Sequence, residues 1–137
     1  MIVIVDTNIL FSSLRSKNST FRDKLFIPSH TFYTPNFLIV ELFKHKERIF
    51  KKSNASGDEI NEFLNKILQR IHFINEETIS ISNFQNAYSL CQGIDEADTP
   101  FVALTLELDG KLWTMDKVLK KGLAKKGFHK FIDNEDF

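Results

Sequence analysis

The chain has 137 residues, 42% of them hydrophobic and 26% charged, and its 18 basic and 18 acidic side chains cancel. This is enough chain for one domain with a real core, and residues 1–137 are expected to form a single one. One cysteine rules out an internal disulfide, and an apolar opening confined to residues 1–5 is too short for a signal peptide or a membrane span. A cytoplasmic protein away from the membrane is expected.

Residues 2–6 are β-branched and continuously apolar up to Asp6, the pattern of a strand buried on both faces. Thr7 and Asn8 offer capping chemistry, and Ile9, Leu10, Phe11 and Leu14 predict a first helix. A polar connection over residues 15–20 leads to a short helix at 21–27, stopped before Pro28. Residues 31–34 predict a second strand, closed by Pro35. The next helix covers 36–52, with Ile39, Leu42/Phe43 and Ile49/Phe50 as its expected core stripe. Beside that stripe stands Glu41, a carboxylate in apolar company.

A turn at 53–57 precedes an amphipathic helix from Asp58, the expected cap, to Ile71, in which Ile60, Phe63, Leu64, Ile67, Leu68 and Ile71 recur at helical spacing. Residues 72–74 read as a strand and 82–92 as a helix. Residues 98–108 are apolar almost all round, so that helix should be buried. Gly110 is expected to stop it. A strand at 111–115, a basic helix at 116–126 ending at Gly127 and a last strand at 128–132 complete the chain. Alternating strands and helices predict an α/β domain on a mostly parallel sheet.

Chemistry in this sequence rests on acids delivered to the ends of apolar elements. Asp6 and Asp116 follow strands, Asp98 opens the buried helix, and Glu41 lies inside a helix that follows a strand. Singly, Asp6, Asp98 and Asp116 each have a capping explanation, and Asp95 reads equally well as an exposed loop acid. Together they suggest one site, because ligands of open parallel sheets gather beyond the carboxyl ends of the strands. Converging carboxylates repel and raise one another's pKa values unless a cation is present, and Mg²⁺ or Mn²⁺ suits oxygen-only ligands. No phosphate-binding glycine loop, nucleophile elbow or dinucleotide fingerprint is present.

Val-Asp6-Thr-Asn8 after the first strand, Glu41 in Val-Glu-Leu-Phe-Lys-His-Lys, Asp95-x-x-Asp98-x-Pro-Phe-x-Ala-Leu and Leu-Trp-Thr-x-Asp116-Lys, in that order, make the chain resemble PIN-domain proteins over nearly its whole length. The resemblance implies a three-layer α/β/α sandwich and a metal-dependent ribonuclease. It also implies the toxin half of a toxin–antitoxin pair, often a homodimer, with an antitoxin protein closing the site. By matched position Asp6, Glu41, Asp98 and Asp116 are the catalytic acids. Asp95 joins Asp6, Asp98 and Asp116 as a metal ligand, and Thr7, Asn8 and Thr114 are supporting polar residues. One or two ions of Mg²⁺ or Mn²⁺ are implied, as are products with a 5′-phosphate and a 3′-hydroxyl.

The charges are segregated: residues 15–52 hold nine Lys or Arg against three acids, and residues 117–132 hold six Lys and no acid. Lys44, His45, Arg48, Lys117, Lys120 and Lys121 are therefore expected to meet RNA phosphates around the acidic pocket. Two alternatives stay open on sequence alone. One is a non-catalytic PIN-like RNA-binding or scaffold domain. The other is a Mg²⁺-dependent phosphotransfer domain, which gathers acids at the same kind of sheet edge.

Overall fold

Val3, Ile4 and Val5 have no exposed surface, as a β-branched run apolar on both faces requires. They belong to β1 (Ile2–Val5), one of the two inner strands of the sheet. The computed structural model describes residues 1–15, 20–53 and 56–137. Within them β2 is Thr31–Pro35, β3 Ile71–Ile74 and β4 Lys111–Trp113. The order across the sheet is β3-β2-β1-β4 and every pairing is parallel. The helices are α1 (Thr7–Arg15), α2 (Thr20–Leu25), α3 (Phe37–Lys52), α4 (Gly57–Arg70), α5 (Ile81–Cys91), α6 (Thr99–Leu108) and α7 (Lys117–Lys125).

Strand order explains the layers. The chain steps outward from β1 to β2 to β3, then returns past β1 to place β4 on its far side. Right-handed crossovers going in opposite directions put their helices on opposite faces. Thus α1 packs on α2, α3 and α4, whereas α5 and α6 pack on each other with α6 against β1, β2 and β4. The result is the three-layer α/β/α arrangement expected. The order reverses beside β1, so the carboxyl ends of β1 and β4 flank the crevice where such sheets bind ligands.

Helix α6 is the second anchor. Phe101, Val102, Ala103 and Leu104 are at most 1% exposed. Each large side chain among them contributes about 1.5–3 kcal/mol of burial, which holds the helix start rigidly against the sheet. Asp109, in the left-handed region at φ 51°, ends this helix, rather than Gly110. Gly110 is needed for a different reason: a Cβ there would lie 2.7 Å from Ile4 Cδ1 and 2.9 Å from the Ile2 carbonyl oxygen.

Several expectations are corrected. The core stripe of α3 is Leu38, Leu42 and Ile49, with Ile39 37% and Phe43 69% exposed. The first two turns of the helix, residues 37–43, are apolar on every side but that of Glu41, and packing against α1, not periodicity, chooses the buried face. Ser56, not Asp58, caps α4 by accepting from the Glu59 N–H at 3.2 Å. The last strand is reduced to one bridge between Leu112 and Phe131. Residues 16–19 of the polar connection and 54–55 of the turn lie outside the described residues. One contact had no sequence signal: the Glu76 carboxylate accepts from the Asn36 and Phe37 N–H groups at 3.1 and 3.0 Å. It stabilises the start of α3 from across the chain, where the helix dipole favours an anion.

Candidate active site

Asp6 follows β1 directly, and its N–H donates to the Trp113 carbonyl at 3.1 Å, tying the ends of β1 and β4 together. Only 4% of the residue is exposed. Its Oδ1 accepts from the Thr7 N–H at 2.7 Å and its Oδ2 from the Thr114 hydroxyl at 2.6 Å. Burial pushes this carboxyl from 3.8 up to about 6; the Thr114 and Thr7 bonds oppose the rise, and the charges of Glu41 and Asp116 add to it.

Thr114 is the hub of the crevice. Besides donating to Asp6, its Oγ1 accepts from the Asp116 N–H at 3.1 Å and from Asn8 Nδ2 at 3.5 Å. Asn8 Oδ1 in turn accepts from the Met115 N–H at 3.3 Å, which clamps the turn after β4 onto the start of α1. Thr7 reaches the other way: its hydroxyl donates to Glu41 Oε1 at 2.7 Å, joining α1 to α3. The three polar residues thus bridge the acids, a placement that sequence spacing alone does not reveal.

Asp98 stands just before α6, yet its side chain makes no capping hydrogen bond. Burial first, then the charges of Asp6, Asp95, Asp116 and Glu41, raise its carboxyl from 3.8 to about 8. Nothing among those influences favours the anion, so the carboxyl of Asp98 is pushed well above the usual carboxylate range. The capping explanation therefore fails for Asp98. It holds for Asp116, whose Oδ1 accepts from the Leu119 N–H at 3.0 Å; Asp95 is the exposed acid that the sequence allowed, and its Oδ1 accepts from the Ala97 N–H at 3.1 Å.

Acids from β1, α3, the entry to α6 and the exit of β4 therefore share one electrostatic environment. Their donor set is oxygen only, the chemistry a hard divalent cation takes. Among the described residues, however, no three of them are drawn to a common point at ligand distance. The arrangement is one of neighbouring, mutually repelling carboxyls that side-chain rotation would have to close.

The expected cations do not sit among the acids: no lysine or arginine is among the groups shifting Asp6 or Asp98. Lys44, Arg48, Lys117 and Lys121 are exposed. Arg48 Nη2 lies 3.3 Å from His45 Nδ1, and His45 meets Phe11 edge-on with centroids 5.7 Å apart. The Lys120 ammonium lies 5.9 Å from the centre of the Phe131 ring. These positions suit a rim, not a ligand shell. Sequence reading passed over a groove beside Asp98 that Phe37, Phe84 and Tyr88 line; scattered aromatics on separate helices carry no motif.

The family model for the PIN domain matches residues 4–132. No curated protein matches the sequence. The fold is similar to a chain in the crystal structure of VapBC2 from Rickettsia felis bound to a DNA fragment from their promoter, with a TM-score of 0.67 and 16% identity over 88% of this chain and 92% of that one. At such identity the likeness speaks for the fold alone. The family match runs from within the first strand through the crevice and all the acids, and the chain belongs to the PIN-domain family.

Proposed function

We propose that this protein is a metal-dependent ribonuclease that hydrolyses RNA phosphodiester bonds at the crevice between β1 and β4. The observation that carries the reading is the gathering of Asp6, Glu41, Asp98 and Asp116 into one electrostatic environment at the strand ends. Asp6, Asp98 and Asp116, with Asp95 at the edge, would hold Mg²⁺ or Mn²⁺, as one ion or two. Such a cation, when bound, supplies a water of lowered pKa and offsets negative charge on the phosphoryl group.

The chain's own residues do the positioning. Thr7 and Thr114 lock both oxygens of Asp6 in place, so that its carboxylate needs little rearrangement to act. Glu41 is aimed by the Thr7 hydroxyl and would orient the attacking water. Asp98, whose carboxyl burial and the neighbouring acids push up, would be favoured as the anion by a bound cation. Lys44, His45, Arg48, Lys117, Lys120 and Lys121 would draw the RNA backbone to the rim against the repulsion of the acids.

The family resemblance adds the biological role: the toxin half of a toxin–antitoxin pair, in the cytoplasm, with an antitoxin protein as partner and a homodimer as assembly. That role rests on the family resemblance; the likeness to a VapBC2 chain adds the shared fold and no more. No helix among the described residues is long and apolar enough to cross a membrane.

The test is cleavage of generic single-stranded RNA with Mn²⁺, with EDTA, and by Asp98→Asn. Cutting should need the metal and be lost in the variant; RNA left intact by the wild type with Mn²⁺ refutes the reading. A second reading, an RNA-binding domain without catalysis, draws support from the open spacing of the acids. Binding without cutting in the same assay would select it.

A further inference from the structure

We infer that the groove between α5 and the starts of α3 and α6 is a stacking subsite for an unpaired nucleobase of the RNA, next to the phosphate that is cut. This rests on the ribonuclease reading and extends it to what the enzyme recognises. The groove is open on one side and offers about 670 Å³, within the range of about 300–1,000 Å³ typical of sites for small organic molecules. Its walls are the rings of Phe37, Phe84 and Tyr88 and the face of Pro100. Phe37 is held edge-on against the buried Phe101, with centroids 6.4 Å apart at 66°, so that ring is fixed in place. Tyr88, by contrast, is 46% exposed, on a helix whose buried residues are Ala87 and Cys91.

Charge selects the occupant. No lysine or arginine lines this groove, and Glu96 does. A phosphate is therefore repelled, while a neutral aromatic ring is accepted on surfaces of its own kind. Stacking on side-chain rings is how single strands are gripped without regard to the backbone. Position makes the link to the reaction: Ala97 and Thr99 both line the groove, and between them in the chain is Asp98. A base seated there leaves its own phosphate beside the acids. Glu96 accepts hydrogen bonds and cannot donate them when ionised, so it matches an edge rich in donors. Guanine, with N1–H and N2–H side by side, fits better than uracil.

The experiment separates this from the nuclease reading by using binding in EDTA, where no cutting is expected. Single-stranded RNA pentamers carrying 2-aminopurine are titrated with the protein, since stacking quenches that fluorophore. Wild type and Tyr88→Phe should quench with equal half-saturation, and Tyr88→Ala should need about 5- to 100-fold more protein. Unlabelled pentamers with a central guanine should compete better than those with uracil, and Glu96→Gln should narrow that difference. Thermal melts check that every variant folds, as expected for replacements at exposed positions. Absence of quenching by the wild type, or quenching that Tyr88→Ala leaves unchanged, overturns the inference. So does a dimer, seen by sedimentation, that Tyr88→Ala dissociates in the absence of quenching, because a second copy would then own the groove. Equal competition by guanine and uracil removes Glu96 from the base edge. Quenching without cleavage under Mn²⁺ keeps the subsite and sinks the nuclease reading; cleavage without quenching does the reverse.

Discussion

Replacing Asp98 by Asn tests whether the acids repel one another or merely cap helices. The wild-type carboxyl is raised from 3.8 to about 8 by burial and by Asp6, Asp95, Asp116 and Glu41. The folded protein therefore holds a proton that the unfolded chain has released between about pH 4 and pH 8. By linkage the wild type's stability is highest below that window, falls as pH climbs through it, and has lost the whole contribution above about pH 8. Asp98→Asn keeps the shape of the protonated acid and cannot ionise, so this part of the fall should vanish. Because Asp98 is only half-buried, solvent screening cuts the effect to about 2 kcal/mol. That corresponds to about 6 °C in melting temperature for a chain of this size. In EDTA the variant should match the wild type at about pH 3, below the window, and melt about 6 °C higher at about pH 9. Mn²⁺ should then raise the wild type more than the variant. A variant that is less stable than the wild type at both pH values would refute the repulsion argument and return Asp98 to a structural role.

Thr114→Val removes a hydroxyl bonded to Asp6, Asn8 and the Asp116 N–H; about 1–3 kcal/mol should be lost in urea unfolding, with RNA cleavage reduced as well. Leu38→Ala should cost about 2–5 kcal/mol and Phe43→Ala less than about 0.5, the reverse of what the predicted stripe implies; equal losses would contradict the orientation of α3. Replacing Lys117, Lys120 and Lys121 together by Ala should flatten the salt dependence of single-stranded RNA binding by up to about 2 in log–log slope, measured by filter binding between 50 and 200 mM salt. An unchanged slope would take α7 out of the RNA path.

The buried first strand, the all-apolar α6 and the acids at the ends of elements were legible because each is a local pattern whose meaning does not depend on partners. A run apolar on both faces has to be covered on both faces, and an acid after it has to emerge at the strand's carboxyl end. On helix α3, Leu42 and Ile49 are buried as expected, but the first turn buries Leu38 instead of Ile39. The apolar residues of the first two turns wrap too far round for periodicity to choose a side, and contact with α1 made the choice. Capping at Asp116 and its failure at Asp98 were equally beyond the sequence, since both acids precede helices and only the path of the chain decides whether a carboxyl reaches an N–H. The raised pKa of Asp98 belongs wholly to the tertiary structure. It comes from removing water and from carboxylates as distant in the chain as Asp6 and Asp116, and neither effect exists until the strands bring those ends together.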